Sequence, residues 1–158
     1  MRFLGHIEAK IDAKGRAFLP AMFRKVLQAS GEENLVLRKD IFQACLVLYP
    51  ESVWNKQLDE LRSRLSRWNR REQNIFRLFV SDVEPIALDA NGRFLIPKRY
   101  LKMAAIDHAV SFIGVDDTIE IWGGNPFSGD AQMSPDDFGQ AIEQIMTPET
   151  ENIQTVTK

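Results

Sequence analysis

The sequence of 158 residues has one cysteine, two histidines and no long apolar run. The single cysteine, Cys45, excludes an intrachain disulfide framework and any zinc or iron–sulfur site built from several thiolates of one chain. The longest apolar stretch near the middle, Ala44–Tyr49, is far too short to span a bilayer. His6, Glu8 and Lys10 interrupt any apolar run at the N-terminus, so this segment does not resemble a secretory signal. We therefore predict a soluble cytoplasmic protein that makes no membrane contact.

The sequence also has little that catalysis or metal binding would require. His6 and His108 have no acidic or thiol neighbours at ligand spacing. Nucleophile-elbow, phosphate-loop and dinucleotide-binding glycine motifs are all missing. Cys45 lies in an apolar stretch, where an inert buried thiol is more common than a nucleophile. We predict that the protein is not an enzyme and that it uses no metal, cofactor or small-molecule substrate.

A small net charge of −2 conceals an unequal distribution of charge along the chain. Residues 1–80 carry 15 Lys and Arg against 9 Asp and Glu, whereas residues 81–158 carry 5 against 13. The net charge gives no general reason to expect nucleic acid as a partner. The basic half could nevertheless present a local positive surface, which is what phosphate binding requires.

One nine-residue motif occurs twice. Residues 12–20 read DAKGRAFLP and residues 89–97 read DANGRFLIP, an offset of 77 without gaps at which five positions are identical. Chance produces five matches in a given register with odds on the order of one in a million. The chain therefore contains an internal repeat.

The composition of the repeated motif predicts a tight hairpin in each copy. Gly15 and Gly92 can supply the positive φ that a tight turn needs. Asp12 and Asp89 can accept hydrogen bonds from the turn amides through their carboxylates. Apolar residues alternate with polar ones before the first turn, as in a half-buried strand, and Ile86 and Leu88 alternate with Pro85 and Ala87 before the second. Each copy is thus predicted to be a β-hairpin with Asp-x-x-Gly at its tip.

Similar elements follow each hairpin, in the order helix, apolar strand, apolar strand, helix. The closing helix is predicted over roughly Glu51–Arg71 in the first copy and Pro135–Met146 in the second, and the polar tail 147–158 is predicted to be disordered. A unit of about 75 residues buries little core alone, so the two copies are expected to share one core across a pseudo-two-fold axis. The sequence therefore predicts an α+β composite domain of two tandem βαβ-type repeats, residues 1–80 and 81–146.

Several of these features together resemble the MraZ family. The resemblance rests on the motif at 12–20, its second copy at 89–97, and the strand Cys45–Pro50 followed by Trp54, and it extends over roughly residues 1–146. It implies an AbrB-like swapped-hairpin β-barrel flanked by helices, and a transcriptional repressor of the cytoplasm and nucleoid. It further implies binding to short direct repeats of double-stranded DNA at the promoter of the protein's own division and cell-wall operon, and assembly into homo-oligomeric rings.

Basic residues are concentrated around the first hairpin, where DNA contact is expected. An arginine held on a rigid hairpin can contact guanine through two hydrogen bonds, which is worth about 1–3 kcal/mol of base discrimination. Alternatively, Arg16 and Arg93 stabilise the turns by pairing with the motif aspartates, and the two roles are compatible. Because Asn91 replaces Lys14 in the second copy, we predict that the first hairpin is the principal reader and that the second mainly completes the barrel. The DNA-binding candidates are Lys10, Lys14, Arg16, Arg24, Lys25 and Arg93.

Two further questions stay open at the level of sequence. Arg64, Arg67 and Arg71 share one side of the helix predicted over 51–71. They form either a solvated face or a contact with the acidic half of a neighbouring chain. The same fold could also serve as an oligomeric scaffold without any role in DNA binding. A DNA-binding antitoxin of the related hairpin superfamily would normally carry one repeat and a toxin-binding tail, so two repeats argue against that function.

Overall fold

The computed structural model describes residues 1–128 and 132–148 and divides the chain into two compact units, Met1–Asn125 and Pro126–Lys158. Most of the tail predicted to be disordered lies outside the described residues. In the part that is described, no helix combines the length and apolar character needed to cross a membrane.

The first unit contains eight strands and four helices among its described residues. The strands are β1 (Phe3–Lys10), β2 (Arg16–Phe18), β3 (Leu35–Lys39), β4 (Leu46–Pro50), β5 (Val83–Ile86), β6 (Arg93–Leu95), β7 (Ala109–Asp116) and β8 (Ile119–Trp122). The helices are α1 (Ala21–Ala29), α2 (Glu51–Arg64), α3 (Arg70–Ser81) and α4 (Lys98–Met103).

The second unit contains one described helix, α5 (Pro135–Met146), at the predicted position. The Ser134 hydroxyl accepts a hydrogen bond from the amide of Asp137 at 3.1 Å. Pro135 occupies the first helical turn, where a missing N–H costs little. These are local start signals, which explains why the sequence alone defined this helix.

Strand pairing in the first unit is symmetric between the two repeats. Six strands form one sheet in the order β1-β7-β8-β4-β3-β5, while β2 and β6 form a separate two-stranded ribbon. The first strand of each repeat pairs with the third strand of the other, as β1 with β7 and β5 with β3. Equivalent strands pair with each other, as β2 with β6 and β4 with β8. The two repeats therefore exchange strands, and the α+β class predicted from the sequence is confirmed.

Two features of the predicted architecture differ from what is observed. All of the strand pairs are antiparallel, so the βαβ-type label describes only the order of elements and not a parallel unit. No closed barrel is formed by the described strands, because β1 and β5 are edges of the six-stranded sheet. A single bridge between Ile11 and Ala17 connects the end of β1 to the ribbon.

The six-stranded sheet is covered on both faces at its centre. Alternate residues of β3 and β4 face opposite clusters, so the central residues of both strands are apolar on both faces of the sheet. Leu37 and Leu48 belong to the main core, whereas Val36 and Val47 belong to a smaller cluster against α2. The main core also includes the largest fully buried rings, which are Phe3, Phe23, Tyr100 and Phe112.

The helix predicted over Glu51–Arg71 is wrong in its extent, because the chain forms two helices there. Leu65 is extended, with φ −108° and ψ 140°, and ends α2 after Arg64. Asn69 begins α3, its side-chain oxygen accepting a hydrogen bond from the amide of Glu72 at 3.0 Å. Trp68 lies between the two helices with 97% of its surface exposed, so it does not extend the apolar stripe of α2.

Candidate nucleic-acid interface

The first hairpin is fixed by the carboxylate of Asp12. Its Oδ1 accepts hydrogen bonds from the amides of Lys14 at 3.0 Å and Arg16 at 2.8 Å. Its Oδ2 accepts a hydrogen bond from Arg16 Nε at 2.7 Å. Gly15 donates its amide hydrogen to the carbonyl of Asp12 and has φ +88°, a conformation that favours glycine. One side chain therefore organises the turn and orients the guanidinium beside it.

The second hairpin repeats this arrangement. Asp89 Oδ1 accepts from the amides of Asn91 and Arg93, both at 2.9 Å, and Oδ2 accepts from Arg93 Nε at 2.9 Å. Gly92 has φ +82°. The geometry of the turn is thus independent of whether lysine or asparagine occupies its third position.

Hydrogen bonding keeps both carboxylates ionised. The amide of Arg16 is the largest cause that lowers the pKa of Asp12, with the Arg16 side chain and the Lys14 amide adding to it and burial partly opposing it. The pKa of Asp89 is lowered in the same way, chiefly by the amide of Arg93. Each arginine therefore retains its carboxylate partner throughout the physiological range of pH.

The ribbon brings the two motif arginines onto one surface. Arg16 lies opposite Leu95 and Phe18 lies opposite Arg93, while Ala17 and Phe94 alternate with them and are buried. Arg16 and Arg93 are thus diagonal neighbours, for which the usual separation is about 7–8 Å. We call the outward set the ribbon face; it consists of Arg16, Phe18, Arg93 and Leu95.

The ribbon face is accessible, and its arginines are paired but not enclosed. The side chains of Arg16 and Arg93 are 35% and 29% exposed, and Phe18 and Leu95 are more than half exposed. Each ion pair uses Nε. For Arg16, neither Nη group makes a hydrogen bond to the described part of the chain. The two roles considered for these arginines are therefore sterically compatible.

Each repeat also packs a helix against the hairpin turn of the other repeat. The amide of Leu19 donates to the carbonyl of Gly92, and the amide of Ile96 donates to the carbonyl of Gly15, both at 2.9 Å. A Cβ at Gly15 would come within 3.3 Å of a methyl group of Leu101 on α4. These contacts were not predicted from the sequence. The available signal was the offset of 77, which makes the helix and the turn of one repeat equivalent to those of the other.

Arg24 takes the place that Leu101 occupies in the other repeat. It lies on α1, is half-buried against Gly92, and donates from Nη1 to the carbonyl of Asn91 at 3.2 Å. Arg24 thus stabilises the contact between repeats, which distinguishes it from the arginines of the ribbon face.

The remaining candidate cations are exposed but are distributed over different elements. Lys14 lies in the first turn, Lys10 at the end of β1, and Lys25 on α1. Among the described residues, no group of three or more His, Cys, Asp or Glu side chains is arranged to hold a metal ion. Cys45 is buried, and burial raises the pKa of its thiol to about 12.

Comparison with known proteins gives a match to the family described as "MraZ protein, putative antitoxin-like", at residues 2–78 and 79–137. The chain belongs to the MraZ family. The two MraZ matches contain one hairpin motif each, so the family pattern is present in duplicate.

Several MraZ relatives match over most of the chain. A protein of Phocaeicola vulgatus named "Transcriptional regulator MraZ" is 64% identical over 146 residues, which cover 92% of this chain and 94% of the relative. A protein of the same name from Bacteroides thetaiotaomicron is 58% identical, with coverage of 94% and 95%. One from Anaeromyxobacter dehalogenans is 36% identical, with coverage of 76% and 83%.

Proposed function

We propose that this protein is a transcriptional regulator that binds DNA sequence-specifically through the ribbon face. One observation carries the proposal: Arg16 and Arg93 lie on the same accessible surface of a single ribbon, each held by its own aspartate. Preorientation matters because a free arginine side chain must lose conformational entropy when it binds a base.

The dimensions and chemistry of the ribbon suit the major groove. A two-stranded β-ribbon is narrow enough to enter that groove, and an arginine can bind O6 and N7 of guanine together. Phe18 and Leu95 offer apolar contacts of the kind that a thymine methyl group accepts. We assign phosphate contacts to Lys14 in the first turn and Lys10 at the end of β1, since such contacts add affinity without adding specificity.

The names of the relatives support a role in transcription, and the resemblance to the MraZ family leads us to propose a more specific one. The protein acts without catalysis, in the cytoplasm and at the nucleoid. It represses transcription from the promoter of its own division and cell-wall operon by binding short direct repeats there. It assembles into homo-oligomeric rings, so that several ribbon faces engage consecutive repeats.

The proposal is tested by titrating labelled promoter DNA from the protein's own operon with the wild type, Arg16→Ala and Arg93→Ala. We expect each substitution to weaken specific binding by about 10-fold to 100-fold, the equivalent of one lost arginine–guanine contact. Arg16→Ala has the larger effect, because Lys14 and Lys10 lie beside the first hairpin only. Equal losses of DNA affinity in the two variants would contradict the ranking of the two hairpins, but they would still support the ribbon face as the interface.

Two matched variants separate contact from folding. Arg24→Leu removes a cation but introduces the residue type that the other repeat uses at this position, so it is expected to bind nearly as well as the wild type. Lys56→Ala removes an exposed cation of α2, a helix that contributes no residue to the ribbon face. If Arg16→Ala and Arg93→Ala bind promoter DNA as tightly as these controls, the ribbon face is not the interface. A wild type that assembles but binds no promoter DNA would favour the scaffold alternative.

A further inference from the structure

A large apolar groove lies between α2, α3 and the loop that joins β3 to β4. Its volume is about 950 Å³. Ile41 and Phe42 of the loop are 58% and 86% exposed, and Leu78 of α3 is 73% exposed. Side chains of this size and exposure in one concave surface are unusual for a surface that only meets water. The apolar lining includes Ile41, Phe42, Leu61, Ile75, Leu78 and Phe79.

The helices that border the groove carry an excess of positive charge. Residues 51–81, which comprise both helices and the segment between them, contain seven Lys and Arg against four Asp and Glu. Arg71 lies four residues before Ile75 on α3, so helical spacing places both on one side of that helix. Three of the residues that line the groove are cationic and three are anionic, so the lining itself has no net charge. The excess of positive charge comes from the arginines beside the lining. A partner with an apolar face and acidic flanks would therefore be complementary.

The helix of the second unit has this chemistry. On α5, Phe138, Ile142 and Ile145 follow one another at helical spacing and are 59%, 45% and 74% exposed. The helix carries Asp136, Asp137 and Glu143 and no basic residue. It is amphipathic, and none of its residues is buried.

We propose that the groove between α2 and α3 binds the apolar face of α5 from a second copy of the chain. The contact is head-to-tail, because the groove of one copy and the helix of the next are different surfaces. A head-to-tail contact closes into a ring when the rotation between copies allows it. The inference rests on the self-assembly put forward above and assigns the two surfaces that produce it. The opposite charges of the groove border and of α5 favour this head-to-tail orientation of neighbouring copies.

The main experiment compares the molar mass of the full chain and of two variants by light scattering across a range of concentrations. Leu78→Glu places a carboxylate in the groove, and Ile142→Glu places one on the apolar face of α5. We expect each to weaken self-association roughly 10-fold or more, because either carboxylate would have to lose its hydration where the apolar side chains meet. Matched controls put the same charge elsewhere: Leu4→Glu on β1 and Gln140→Glu on α5, which should assemble as the wild type does.

Mixing the two variants tests the head-to-tail arrangement directly. Leu78→Glu keeps an intact helix and Ile142→Glu keeps an intact groove, so an equimolar mixture should form a one-to-one dimer that neither variant forms alone. A mixture that stays monomeric would overturn the proposal, even if each variant alone had lost assembly.

Disulfide trapping distinguishes docking between copies from other outcomes. Leu78→Cys and Ile142→Cys, mixed and oxidised, should give a cross-linked dimer in higher yield than either alone, and buried Cys45 does not compete. A third variant carries both cysteines in one chain. If it forms its disulfide only within single chains, docking between copies is overturned. If the wild type is monomeric, the self-assembly of the proposed function fails as well. If the wild type assembles and Leu78→Glu assembles equally, docking alone fails.

Discussion

At the scale of single residues, the ion pairs of the hairpins link folding to the proposed binding surface. Asp12 accepts two amide hydrogen bonds and one guanidinium hydrogen bond, so one carboxylate closes the turn and positions Arg16. The pKa of Asp12 is lowered, chiefly by the amide of Arg16. A carboxyl group with a lowered pKa in the folded state stabilises the protein above its unfolded pKa of about 3.9, and loses that contribution as the pH falls through the folded value.

This linkage predicts the behaviour of Asp12→Asn. At pH 7 we expect a lower free energy of unfolding than in the wild type, because asparagine cannot supply the charge or accept the same set of bonds. The difference should shrink as the pH falls below about 4, where the Asp12 carboxyl becomes protonated first in the unfolded wild type and, at lower pH, in the folded wild type as well. Urea unfolding between pH 7 and pH 3 measures it, with Asp59→Asn on the exposed surface of α2 as the control. A difference that stays constant with pH would argue against an ionised Asp12 as its cause.

At the scale of elements, α3 begins after the break with a capping pair of side chains, those of Asn69 and Glu72. Asn69 accepts from the amide of Glu72 at the start of α3, and Glu72 in turn accepts from the amide of Ser66 at 3.0 Å. We expect Asn69→Ala to destabilise the protein by about 1 kcal/mol, the usual cost of a lost N-cap. Asn55→Ala, in the exposed middle of α2, should change stability by no more than about 0.5 kcal/mol. Thermal and urea unfolding compare the two; similar effects would mean that the cap does not define α3.

The same break shows where sequence reasoning stops. Both hairpins and α5 were predictable because glycine, aspartate and serine act within a few residues of their own position. The break was missed because the apolar spacing through Leu58, Leu61 and Leu65 continues in register to Trp68, which is exposed. The capping pair of Asn69 and Glu72 was the signal that periodicity concealed.

At the scale of the whole molecule, the exchange of strands was only partly accessible to prediction. The repeat itself implied a shared core, but nothing local specifies that Phe3 pairs opposite Asp116, more than a hundred residues away. The pairings β1–β7, β3–β5, β2–β6 and β4–β8 all join one repeat to the other. Long-range pairing of this kind depends on mutual burial across the sequence rather than on turn chemistry. The position of the ribbon face, and with it the alignment of Arg16 with Arg93, follows from that exchange.

Exchange of strands also predicts how the first repeat behaves alone. Residues 1–80 lack every inter-repeat pairing partner and the buried rings of Phe94, Tyr100 and Phe112. We expect this fragment to be unfolded as a monomer and to fold only by pairing with a second copy, which would take the place of residues 81–146. Its melting temperature should then rise with protein concentration, because folding is coupled to association. Thermal unfolding followed by circular dichroism over a hundredfold range of concentration would measure this, with sedimentation at each concentration. A monomer that melts cooperatively at a temperature independent of concentration would show that one repeat can form its own core.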